Sequence, residues 1–93
     1  MIVATAEIKI YVPWAHSLKE KRMVVQSIIA KVQNRCKIAI AEVDAQDYQQ
    51  TIVLGLATVS ASAVFAERSI DRALDFIASV TEAEIQLIRR ENF

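Results

Sequence analysis

From Ile2 to Val12 apolar and polar positions alternate. Ile2, Ala4, Ala6, Ile8, Ile10 and Val12 fall on one parity, and Val3, Thr5, Glu7, Lys9 and Tyr11 on the other. A period of two predicts a half-buried strand, and Pro13 ends it because proline lacks the ladder's donor. Ser17-Leu18-Lys19-Glu20 then has the S-x-x-E pattern of a capping box, so a helix starts here. Leu18, Val24, Val25, Ile28, Ile29 and Val32 recur at helical spacing, which carries that helix to about Arg35. Lys37 to Val43 reads as a short strand, and the polar run from Asp44 to Gln50 as a connection. Thr51 to Val59 is apolar on both parities, the mark of a central strand. From about Ser62 to Val80 the period returns to helical, with Ala66, Ile70, Ala73, Leu74, Ile77 and Val80 as its stripe. A last strand begins near Ala83 and fades into the charged end of the chain.

Strand, helix, strand, strand, helix, strand in 93 residues is the ferredoxin-like βαββαβ arrangement. The fold class expected is therefore α+β: one domain spanning residues 1–93, a four-stranded antiparallel sheet with two helices on one face. The covered face takes Ile8, Ile10, Ile38, Ile40, Leu54, Leu56, Ile85 and Leu87. The open face takes small and apolar groups in its middle, with charges toward its ends and the fourth strand. Such a composition is that of an interface with an apolar core and polar rim. Val3, Thr5, Tyr11, Val53, Gly55, Ala57 and Val59 form the candidate self-association face, and a half-apolar exposed sheet with no partner is the competing reading. Gly55 is either a point of close backbone approach or neutral to packing.

Composition narrows the function. An apolar share of 54% argues against disorder, and the longest uncharged stretch, between Asp47 and Glu67, is too broken by Gln, Thr and Ser to span a membrane. The start lacks the basic segment of a secretory signal, and the single Cys36 admits no internal disulfide, so a cytoplasmic location is expected. The 11 basic and 11 acidic side chains balance, but unevenly along the chain. Residues 1–46 hold seven basic and four acidic groups (+3), and residues 47–93 hold four and seven (−3). Six of the early cations are Lys19, Lys21, Arg22, Lys31, Arg35 and Lys37, which invites an RNA or ribosome contact. A helical wheel splits them between two flanks, so a solvated helix face competes with that reading.

Chemistry-bearing motifs are absent. There is no G-x-G-x-x-G, Walker motif or G-x-S-x-G. His16 has no second histidine or cysteine beside it for a metal site, and no metal or other cofactor is expected. Cys36 lies between Arg35 and Lys37, which favour a thiolate, yet it falls on the apolar side of its helix as an inert buried thiol would. Glu42, Asp44 and Asp47 cluster around the second strand without a visible pocket to divide their roles, and turn capping by Asp44 or Asp47 accounts for them as well. The third strand has no aromatic for base stacking. No catalytic residue is assigned, and a non-enzymatic protein is expected.

Ser17-Leu18-Lys19-Glu20-Lys21-Arg22, followed about twenty residues later by Ala41-Glu42-Val43, Gln46-Asp47, Gln50 and Val53-Leu54-Gly55, resembles the YlxP-like family of small bacterial proteins of unknown function. The similarity runs over essentially the whole chain. It implies a ferredoxin-like fold, a bacterial cytoplasmic protein and no established activity, with genes often near those for translation initiation factor two and ribosome-binding factor A. Members commonly carry Trp and Arg where this sequence has Gln49 and Thr51. Ser17, Lys19, Lys21, Arg22, Glu42, Gln46, Asp47 and Gln50 are the candidate interaction surface, with Trp14 either an anchor for a partner or a packing residue. The function expected is an oligomeric accessory protein with ribosome or RNA contact. The alternative is a regulatory module binding a small ligand in a cleft between subunits.

Overall fold

The computed structural model describes all 93 residues. It contains β1 (Ile2–Tyr11), α1 (Leu18–Arg35), β2 (Ala39–Asp44), β3 (Thr51–Ser60), α2 (Ala63–Val80) and β4 (Glu84–Asn92). The sheet order is β2-β3-β1-β4, with every neighbouring pair antiparallel. This is the ferredoxin-like α+β fold expected from the periodicities.

One face of the sheet and both helices share a single core. Ala4, Ala6, Ile8 and Ile10 of β1 and Ile52, Leu54 and Leu56 of β3 meet Val25, Ile28 and Val32 of α1 and Ala66, Ile70, Ala73 and Ile77 of α2. The two helices bury the same spacing, i, i+4, i+7, i+11, which keeps one stripe against a flat sheet. In α2 the stripe is wholly apolar; in α1 its first position is Lys21. Ser17 and Ser62 cap the two helices, each accepting an N–H from three residues on. Neither helix is long and apolar enough to cross a membrane.

Two strands depart from their simple alternation. In β4 the register against β1 slips between Glu7 and Ile8, so that Glu7 pairs with Arg89 and Ile8 with Leu87, leaving Ile88 as the extra residue of a bulge. Beyond the bulge the ladder continues, and β4 runs to Asn92 rather than fading near Ile88. Arg90 and Asn92 reach α2, where they donate to Asp71 and Glu67. Leu87 was expected on the covered face with Leu54 and Leu56; on an outer strand beyond the helices it stays 50% exposed. In β2 a second slip between Glu42 and Asp44 makes Val43 the extra residue.

Candidate interaction surfaces

The segment before α1 is held by a reciprocal cap. Glu20 N–H donates to Ser17 Oγ at 3.1 Å, and the His16 N–H donates to Glu20 Oε2 at 2.9 Å. Four residues of the recognised pattern then tie this start to the β2–β3 connection. The side chain of Lys21 is 0% exposed, and its Nζ donates to the Ala45 carbonyl at 2.5 Å and the Gln46 carbonyl at 3.3 Å. The same ammonium lies 3.0 Å from Glu42 Oε2, a charge contact without hydrogen-bond alignment, so that buried oxygen accepts from no donor. From the other end of the connection, Gln50 Nε2 donates to the carbonyls of Pro13 and Ala15, while Val12 N–H donates to the Gln50 carbonyl.

Lys21 therefore leaves the candidate interaction surface. Its ammonium is consumed inside the protein, because the i, i+4, i+7, i+11 stripe points it at the sheet and only oxygens placed there could accept it. Ser17, Glu42 and Gln50 likewise act in internal cross-links. Lys19, Arg22, Gln46 and Asp47 are exposed. The structure thus divides the eight residues between a lock and a surface. The lock also explains Ala45, whose φ of 56° is the one left-handed non-glycine conformation in the chain. Its N–H donates to Asp44 Oδ1 and its carbonyl accepts from both Lys21 and Tyr48 N–H.

On the open face the register aligns side chains in rows across the strands. Val59 and Val3 are paired, and Phe93 extends the row through two backbone bonds with Val3. The next rows are Ala39–Ala57–Thr5–Glu91, then Ala41–Gly55–Glu7–Arg89, then Asp44–Val53–Lys9–Gln86. The half over β2 and β3 is thus small and apolar, and the half over β4 is charged. Thr5, Ala39, Ala41, Gly55 and Ala57 floor a groove of about 530 Å³, walled by Val43, Arg89 and Phe93. A polar hollow of about 580 Å³ adjoins it across Glu7 and Arg89, with Lys9, Asp44, Asp47 and Tyr48 around it.

Two members of the candidate self-association face behave unlike the others. Val53 is only 6% exposed and stands outside the main core, because the connection from Asp44 to Tyr48 curls over it beside Ile88. Gly55 is indeed a place of close approach, but by a side chain. A Cβ there would stand 2.8 Å from Val43 Cγ1, since the bulge turns Val43 back across β3. Val3, Thr5, Tyr11, Ala57 and Val59 lie on the open face as expected.

Residues 3–90 match the family described as a protein of unknown function, DUF503. The uncharacterised protein YlxP of Bacillus subtilis (strain 168) is 39% identical over 92 residues, covering 99% of this chain and 100% of that relative. The chain belongs to the DUF503 family. Within this DUF503 fold no three His, Cys, Asp or Glu side chains converge. Cys36 is partly buried and caps α1, its N–H donating to the Val32 carbonyl. Trp14 is 48% exposed and lines a groove of about 440 Å³ on the helical side with Met23, Val24 and Val80. Phe93 joins the open-face row only because the β4 bulge prolongs pairing, and nothing in the alternation of that strand marks it.

Proposed function

We propose that this DUF503 chain is a non-enzymatic accessory protein of the cytoplasm that binds macromolecular partners through the open face of its sheet. The observation that carries the proposal is the apolar half of that face, Ala39, Ala41, Gly55 and Ala57 between Val43 and Phe93, left uncovered while both helices occupy the opposite side. The charged side chains along it are joined to one another, Arg89 lying 3.8 Å from Glu7 and 3.7 Å from Glu91. An open trough of this kind favours a macromolecule over a small ligand, which a binding pocket normally encloses over most of its surface.

Ribosome or RNA contact is a second reading, supported by Lys19, Arg22, Lys31 and Arg35 being exposed along α1 while Glu20 is spent on the cap. It predicts salt-sensitive co-sedimentation with ribosomal subunits that Lys19→Ala and Arg22→Ala weaken. The open-face reading is tested with Ala57→Glu and Val59→Lys, which place charge on that face without entering the core. The mass of the native complex in cell extract is expected to fall in both variants while their thermal melting stays that of the parent. An unchanged complex would overturn the proposal.

A further inference from the structure

We infer that the chain has a second docking surface on its helical side, where the groove beside Trp14 takes an acidic amphipathic helix of a partner protein. This surface is separate from the open face and does not depend on it.

The apolar side chains come first. Met23 is 62% exposed and Trp14 48%, and both line one groove of about 440 Å³ with Val24 and Val80. A half-exposed tryptophan and a flexible methionine beside a groove are side chains of the kind that carry the energy of protein interfaces. The lining comes from the loop after β1, from α1 and from the end of α2 with the two residues after it. None of it is strand. A partner lying there has no ladder to join, so its backbone must satisfy its own hydrogen bonds, and a helix does so.

Charge then sets the sign of the partner. Lys19, Met23, Ser27 and Lys31 stand four residues apart on one ridge of α1, so two exposed cations bracket the methionine over about 18 Å. Neither lysine has an ion pair within the chain. Glu20, the one carboxylate on α1, is engaged with the His16 N–H. Glu82 is the single carboxylate among the lining residues, beyond the end of α2, and it turns the acidic groups of a partner toward α1. A helix along the ridge meets the two lysines with carboxylates about three turns apart and apolar residues between them. Single-stranded nucleic acid fits less well, because stacking uses successive aromatics and Trp14 is the only aromatic in the groove, while Glu82 repels phosphate.

Trp14 is the only tryptophan of the chain, so its fluorescence reads the groove directly. The probe is a synthetic helix of about 18 residues, with a leucine stripe at i, i+4 and i+7 and a glutamate beyond each end of it. Its twin carries lysine in place of each glutamate. The glutamate peptide is expected to shift Trp14 emission to shorter wavelength and to bind about tenfold or more tighter than the twin, with the preference shrinking at high salt. Lys19→Glu with Lys31→Glu is expected to reverse that preference. Met23→Asp is expected to abolish binding while leaving thermal melting at the parent's value, and Ala57→Glu, on the other face, to leave binding unchanged. Equal affinity for the two peptides, or no response of Trp14 to either up to near-millimolar concentration, overturns the proposal. Quenching of Trp14 by single-stranded oligouridine that needs Lys19 and Lys31, with neither peptide binding, replaces the protein partner by RNA and overturns it as well. The open-face reading stands or falls separately, on the complex mass of Ala57→Glu and Val59→Lys in extract.

Discussion

Replacing Lys21 by Met keeps a side chain of similar length in the α1 stripe and removes only the ammonium. Three oxygens lose their partner, but unequally. The Ala45 carbonyl still accepts from Tyr48 N–H, and the Gln46 carbonyl sits at the long distance of 3.3 Å, so neither is stranded at full cost. Glu42 is the expensive one, a carboxylate 18% exposed whose Oε2 is buried and has no donor beyond the contact with Lys21. Breaking a buried pair from one side costs about 3–5 kcal/mol, because the remaining charge is uncompensated. Partial access of water to Glu42 puts the expected loss near the lower end, about 3 kcal/mol. For a domain of this size that lowers Tm by roughly 12 °C or more. Urea unfolding followed by circular dichroism measures it, and the diagnostic variant is Lys21→Met with Glu42→Leu. Removing both charges leaves nothing stranded, so the double variant is expected to be more stable than Lys21→Met alone. A Lys21→Met loss below about 1 kcal/mol, or a double variant whose loss equals the sum of the two single ones, would show that the pair is not coupled as its geometry requires.

Gly55→Ala places a methyl 2.8 Å from Val43 Cγ1, and the exposed Val43 must rotate away. Turning that half-exposed side chain into solvent offsets the roughly 0.4–1 kcal/mol that alanine gains over a strand glycine. The single variant is therefore expected within about 0.5 kcal/mol of the parent and below Gly55→Ala with Val43→Ser, and a loss above about 2 kcal/mol would show that Val43 cannot move off β3. Ala45→Gly relieves a left-handed alanine at φ 56°. The relief of about 1–2 kcal/mol exceeds the added freedom of the unfolded chain, so Tm by calorimetry rises by a few degrees, and a fall would refute the strain.

The periodicities made the order of elements and the composition of both sheet faces legible, because each depends on residues two to four positions apart. What escaped depended on partners far along the chain. Hydropathy gives no reason to bury Lys21, since the oxygens that receive it belong to Glu42, Ala45 and Gln46, twenty-one to twenty-five residues later. The β4 bulge likewise exists only against β1, and with it the turn of Arg90 and Asn92 toward α2 and the place of Phe93 in the open-face groove. Val53 alternates as an open-face residue should and lies on that face; its burial comes from a connection whose path no local pattern describes.

The segments that carry the family likeness and the surface proposed for binding are physically joined, and the joint runs through the β2–β3 connection. Lys21 fixes the carbonyls of Ala45 and Gln46, and Asp44 binds the Ala45 N–H, so the lock sets the backbone on which the Asp44 carboxylate is presented to the open face. The same connection covers Val53 and closes the acidic end of the polar hollow. The SLKEKR segment thus acts on the docking face without belonging to it. Loss of the Lys21 ammonium loosens both the fold and the Asp44 edge of the face, whereas Ala57→Glu alters the face and leaves the lock intact. An effect on association without an effect on stability therefore belongs to the surface, and a coupled effect on both belongs to the lock.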